Sequence, residues 1–464
     1  MMPALATLRL LLPAAGISCL LACQNTQAQT VNPLTAAILD MQGTRLASHQ
    51  AATPQSATQE IKLKQQLILQ KDGQFRAISD SLWPGNIRFH FLSTGNKDGM
   101  AVVDLLQWRQ GVEIERNNAA EARKAYADFL FLVPAFLQQQ ASNSQSAALP
   151  GDSSGKYEQV SFNDVAGRPA SMIIERSSGQ VQSAKTATST YEYADYSSIH
   201  DLRQPQKITM KNGDKVVLQW TINAQVTEHV DAHSFDLPAG YIEKQDKGTL
   251  RATQIAPGTY RVDGSESGYH TGFSVGSHSV AIYDAPINTT EAAKVKALIE
   301  QTAPGRKLAY IVLSHTHRDH IGGTPSYAQE GVQILTGKDG KLAVERQLGQ
   351  PVASKVVEVT EQRELDLGGR SIRIYPMVSS HASDMLVAYD KNSQTLFQGD
   401  LFYLPEIGPI PPLFDVGLEL DSLIRQQQLQ VQQLVGVHGR SGSLQEFQKA
   451  LELRMAAKSD AGKT

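Results

Sequence analysis

The sequence predicts an α+β fold in two successive domains: an antiparallel, β-rich domain with one main helix, then a layered domain of strands and helices that carries a metal site. Three observations lead there. The chain has 464 residues, more than one hydrophobic core usually serves, so two domains are expected. Its first half contains consecutive short segments of alternating or β-branched residues separated by turn signals. Its second half contains an apolar run ending in His315-Thr316-His317-Arg318-Asp319-His320.

Composition narrows the function classes. Hydrophobic residues make up 41% of the chain, charged residues 19%, and the net charge is −3. That balance suits a soluble globular protein. It excludes nucleic acid as a partner, because phosphate binding needs concentrated Lys and Arg, and no basic stripe appears.

Residues 1–28 are expected to be an export signal. Arg9 precedes a short apolar run through Leu20-Leu21-Ala22-Cys23, followed at once by polar sequence; the run is too short for a spanning helix. Leu20-Leu21-Ala22-Cys23 resembles a bacterial lipobox, in which Cys23 is lipidated after cleavage and tethers the protein to the membrane. Cleavage after Ala28 is the other route and releases a soluble periplasmic protein. Both place the mature chain in the periplasm or on the cell envelope. The only two cysteines are Cys19 and Cys23, so the mature protein has no disulfide and no thiolate ligand. Any metal site must use His and carboxylate.

Residues 29–58, rich in Gln, Ala, Thr and Ser, read as a tether with a short amphipathic helix over residues 34–46. The β-rich domain is expected over residues 59–241. Glu60–Leu69 partly alternates and Ile87-Arg88-Phe89-His90-Phe91 alternates cleanly, as half-buried strands do. Asn118 and Glu121 make a capping box that opens a helix, which Pro134 ends or kinks. Residues 140–157 read as a loop. Strands follow around residues 171–175, 190–193, 207–210 and 215–220, with a hairpin turn at Asn212-Gly213. Residues 242–254 are expected to link the domains, 255–455 to form the second domain, and 456–464 to be a tail.

The chemistry lies in the second domain. Leu308–Ser314 reads as a buried strand delivering ligands at its C-terminal end. His315 and His317 alternate, so both imidazoles point the same way. Asp319 and His320 follow where the chain turns into a Gly-rich helix start, and face a second metal. Three further residues end or adjoin strand-like segments: His381 before Met385–Tyr389, Asp400 after Thr395–Gly399, and His438 after Leu434–Val437. Three His in six residues can also be just a polar loop. An adjacent acid and the downstream residues favour the metal reading.

His-x-His-x-Asp-His followed by His, Asp and His in that order resembles the metallo-β-lactamase superfamily, over about residues 255–450. The resemblance implies a four-layered αββα sandwich and two metal ions, expected to be Zn²⁺, with Fe²⁺ or Mn²⁺ also accepted by such ligands. It implies that His315, His317 and His381 hold one metal, that Asp319, His320 and His438 hold the other, and that Asp400 bridges. Asp284, in Tyr283-Asp284-Ala285-Pro286, matches an acid that supports the site from behind. His270 aligns with a loop near the site entrance, a candidate for substrate contact or for a purely structural turn. The implied activity is hydrolysis of an ester, thioester, lactone, amide or phosphodiester small-molecule substrate, with Asp319 assisting proton movement. Asp400 stands where many β-lactamases have Cys, and His317 where the flavodiiron reductases have Glu, which favours a hydrolase outside the β-lactamases. Residues 59–241 loosely resemble the half-barrel of lipoprotein carriers, on strand pattern and the closing Phe235-Asp236-Leu237-Pro238-Ala239-Gly240-Tyr241. That implies an acyl or lipid ligand for this domain; a structural appendage is the plainer alternative. His49, His90, His200, His229, His233 and His278 are expected to be surface, turn or core residues.

Overall fold

The computed structural model describes residues 35–199, 202–245 and 248–461; the signal, Cys23 and His200 lie outside them. The N-terminal half builds a 14-stranded sheet in which most neighbours pair antiparallel in hairpin order. The two alternating segments lie in strands Thr58–Gln70 and Ile87–Asn96, and Phe75–Trp83 adds a strand between them. The Asn-Gly turn closes a hairpin in which Asn212 pairs with Lys215. Asn118 caps helix Ala119–Leu130, its side-chain oxygen accepting from Ala120 N at 2.9 Å and Glu121 N at 3.1 Å. Tyr126, Leu130, Phe131, Phe136 and Leu137 pack in one core with Leu39, Leu67 and Trp220 of the sheet.

Several local expectations are corrected. Residues 36–48 form a strand, not a short helix: Ala36–Ser48 pairs with Thr58–Gln70 on one side and Lys215–Thr227 on the other. Two complete ladders outweigh a weak helical pattern. Gly43 is required there, because a Cβ would collide with the carbonyl oxygen of Gln219 on the neighbouring strand. Pro134 opens a second helix, Pro134–Gln140, where its missing N–H costs nothing. The expected loop at 140–157 contains an edge strand, Gln145–Ala148. The expected linker contributes Ile242–Glu243, which pairs parallel with Glu113–Ile114, and most of strand Arg251–Ala256. The expected tail extends a helix, Leu444–Ala461.

The C-terminal half is the four-layered α+β sandwich, of a seven-stranded and a six-stranded sheet. Its three apolar cores match the three layer boundaries. Helix Thr289–Thr302 packs through Val295 and Ile299 onto Ile282, Ile311 and Ile334. Ala281, Val312, Ile374, Leu386 and Val435 fill the space between the sheets. Helices Asp415–Gln426 and Leu444–Ala461 cover the outer side of the six-stranded sheet, through Val416, Leu420 and Phe447. That last core also takes in Ile87 of the N-terminal sheet and Trp108 of a loop between its strands, so the two halves pack as one unit.

Candidate metal centre

Strand Lys307–Val312 ends two residues before Ser314, and the chain then runs through His315 and His317 into the short helix Arg318–Ile321. Strands Met385–Asp390, Thr395–Gly399 and Gln433–Gly436 bring His381, Asp400 and His438 to the same edge. All seven predicted ligands converge there. Nε2 of His315 lies 3.0 Å from Nδ1 of His317 and 3.2 Å from Nε2 of His381, one trigonal set of imidazole nitrogens. Asp319, His320 and His438 form a second set, with Oδ2 of Asp319 at 3.9 Å from His320 Nε2 and 3.7 Å from His438 Nε2. Asp400 lies between the two: Oδ1 is 3.1 Å from His320 and 3.4 Å from His438, and Oδ2 is 3.5 Å from His381.

This donor set fits divalent cations. Nε2 of His320 and Oδ1 of Asp400 are buried and face each other at 3.1 Å without hydrogen-bond geometry, an arrangement that a shared cation would satisfy. Burial first, then neighbouring positive charge, holds His315 well below the usual imidazole range. Burial pushes His317 down to about 3 and His438 to about 4, so these rings are neutral, as ligands must be. His320 behaves oppositely. Burial lowers it, but the charges of Asp400 and Asp319 outweigh burial and raise it well above the usual value. The two carboxylates thus draw positive charge to the point where a cation would sit.

The surroundings fix each ligand. Asp284 sits at φ 60° just past its strand, accepting from Ser314 N at 2.7 Å and lying 3.4 Å from Nδ1 of His320. Asp384 accepts from Thr316 Oγ1 at 2.7 Å; its carboxyl is pushed up to about 6 by burial. His270 is corrected as a substrate contact. It is 3% exposed, with Nδ1 at 2.9 Å from the Val262 carbonyl and Nε2 at 3.2 Å from Glu406, so it braces the turn. Its neighbour Tyr269 faces the site instead, edge-on to His438 at 4.5 Å. His90 lines a separate groove on the N-terminal sheet, His233 pairs with Asp236 on the surface, and His278 lies in a turn.

Sequence reasoning missed what the N-terminal half contributes. The segment read as a tether reaches the metal ligands: Nε2 of His317 meets the Ala51 carbonyl at 3.0 Å, and the Gln50 amide donates to Asp319 Oδ1 at 2.8 Å. Nδ1 of His381 meets the Pro84 carbonyl at 3.1 Å. Trp83, Phe89 and Trp108 wall a cavity of about 310 Å³ that ends on Asp319, His381, Asp400 and His438. The alternation of residues 87–91 signalled the strand. Nothing local signalled Gln50.

Fold and site together define an αββα sandwich with clustered His and Asp side chains on one sheet edge that could hold divalent metal ions. Residues 273–438 match the family described as Metallo-beta-lactamase superfamily, the stretch that carries the His-x-His-x-Asp-His motif. The metallo-beta-lactamase fold-containing protein ST1585 of Sulfurisphaera tokodaii is 32% identical over 167 residues, covering 29% of this chain and 61% of its own length. Diflavin flavoprotein A 2 of Synechocystis sp. is 26% identical over 137 residues, 29% of this chain and 23% of its own. The chain therefore spans less than two thirds of either relative. Among solved structures, a metallo-beta-lactamase from Pontibacter korlensis is similar, at 17% identity and a TM-score of 0.37, over 45% of this chain and 99% of its own.

Proposed function

We propose that the chain is an exported hydrolase that works with two bound divalent metal ions, zinc in the first instance, on an ester, thioester, lactone, amide or phosphodiester. The observation that carries this reading is the convergence of seven candidate ligand residues, with the buried Nε2 of His320 and Oδ1 of Asp400 facing each other without hydrogen-bond geometry. Metal ions bound at such a site make water acidic enough to attack near neutral pH and neutralise charge on a carbonyl or phosphoryl oxygen. The chain supplies the rest. Gln50 ties Oδ1 of Asp319, which orients Oδ2 toward His320 and His438 of the second set. Tyr403 is buried against Asp400, its hydroxyl kept protonated first by burial and then by that charge. The aromatic residues of the N-terminal sheet exclude water from one side of the cavity.

An acyl- or lipoprotein-binding role for residues 59–241 has less support, since the sheet face that would receive the ligand is packed with Tyr126, Phe131, Phe136 and Leu137. Export and a lipid anchor at Cys23 rest on the sequence of residues 1–28; Cys23→Ser should move the protein from the membrane to the soluble fraction.

The direct test is turnover of 4-nitrophenyl esters, a thioester, a lactone and bis(4-nitrophenyl) phosphate by the zinc-loaded protein. Hydrolysis that disappears with a chelator and returns with Zn²⁺ is expected. No turnover of any of them by fully loaded protein, or turnover indifferent to chelation, contradicts the reading.

A further inference from the structure

The cavity over the metal centre has two unlike lobes. One, of about 310 Å³, is walled by Trp83, Phe89 and Phe91 of the N-terminal sheet. Strand pairing explains the wall. Ser81 lies opposite Phe89 and Trp83 opposite Ile87, so alternation turns these side chains to one face. Phe89 stacks at 6.0 Å on Phe91, meets Trp83 edge-on at 5.8 Å and leans on Trp108 at 5.0 Å. The other lobe, of about 250 Å³, is polar and includes Gln110, Glu115 and Lys244. Arg109, Tyr269 and His438 line both.

Arg109 stands at the junction. Its guanidinium lies over the Phe89 ring at 5.4 Å and 3.5 Å from the Tyr269 hydroxyl. The nearby carboxylates are engaged elsewhere: Glu113 accepts from Gln245 N at 2.9 Å, Glu115 from Gln110 at 3.0 Å, and Glu406 meets His270 at 3.2 Å. Among the described residues Arg109 makes no ion pair, and it lines both lobes beside the candidate ligand His438. A cation held on an aromatic face without a carboxylate is suited to receive an anion.

We propose that the N-terminal sheet is the substrate-selecting wall of the metal centre, and that the substrate is an anionic amphiphile: an apolar group lies against Trp83, Phe89 and Phe91, and a carboxylate, sulfate or phosphate group sits on Arg109. The proposal rests on the hydrolase reading for its chemistry. Water adds across the scissile bond, its hydroxyl going to the acyl carbon or the phosphorus and its proton to the leaving group. The apolar part is thus received on the sheet's outward face, at the boundary between the two halves, and not inside the N-terminal domain. Each aromatic contact and the charged hydrogen bond on Arg109 is worth more than thermal energy, so each should be visible in binding.

Binding is tested separately from turnover. The zinc-loaded protein is titrated with anilinonaphthalene sulfonate, which carries rings and an anion, and with the uncharged N-phenyl-1-naphthylamine. One saturable site for the sulfonate is expected. Arg109→Gln should weaken the sulfonate by about tenfold and leave the neutral probe unchanged. Phe89→Ala should weaken both by a similar factor. Arg109→Lys should restore most of the sulfonate binding. Equal losses of both probes in Arg109→Gln, or no loss in either variant with its thermal melt unchanged, overturn the proposal. Intact, variant-sensitive binding without hydrolysis of any ester instead removes the hydrolase reading and leaves the wall standing.

Discussion

Nε2 of His317 lies 3.0 Å from the backbone carbonyl oxygen of Ala51, a residue 266 positions earlier in the chain. The contact fixes the tautomer: the ring proton goes to the carbonyl, and Nδ1 keeps its lone pair toward His315. Gln50, next in sequence, holds Asp319 of the other ligand set. Gln50→Ala should therefore weaken the second metal more than the first, by about tenfold in chelator competition. Equal affinities in variant and parent would mean that the Gln50 contact has no role at the site.

Gly85 couples the same two halves through His381. It has φ 81°, and a Cβ there would press on Val416 and meet Cβ of His381 at 3.1 Å. Gly85→Ala should cost about 1–3 kcal/mol of stability and displace the Pro84 carbonyl from Nδ1 of His381. A lowered melting temperature with loss of metal from the three-histidine set is the expected pair of results.

Asp284 supports one ligand and touches no substrate cavity surface among the large lobes. Asp284→Ala removes the carboxylate 3.4 Å from Nδ1 of His320 and the acceptor of Ser314 N. Metal affinity should fall by about 10–100-fold, read by competition with a fluorescent chelator, while the fold persists by circular dichroism.

Away from the site, Asp390 is a stability residue. It is 0% exposed and accepts from Arg370 at 2.6 Å, Ser274 at 2.7 Å and Thr259 at 2.9 Å, joining the two sheets of the sandwich. Asp390→Ala leaves Arg370 without its buried partner and should cost about 3–5 kcal/mol in denaturant unfolding.

The legible part of this molecule was the part whose partners are local or whose chemistry is concentrated. His315, His317, Asp319 and His320 sit within one turn of chain, and an apolar run announces the strand beneath them. His381, Asp400 and His438 stand out in the sequence because each ends or adjoins a strand-like segment. The strands of the N-terminal sheet were legible from alternation, and helix Ala119–Leu130 from its cap. Residues 36–48 misled because a strand paired on both sides takes its stability from ladders that no local pattern records. Gln50 and Ala51 were invisible for the same reason: their role is set by a contact across the fold. Alternation told which residues of 87–91 share a face, but not that this face meets the metal centre.

The most direct test is elemental analysis of the mature protein with His315→Ala and Asp400→Ala beside it. About two metal ions per chain are expected in the parent, with loss of one or both in each variant. A folded parent without bound metal, indistinguishable from its variants, would contradict the two-metal reading.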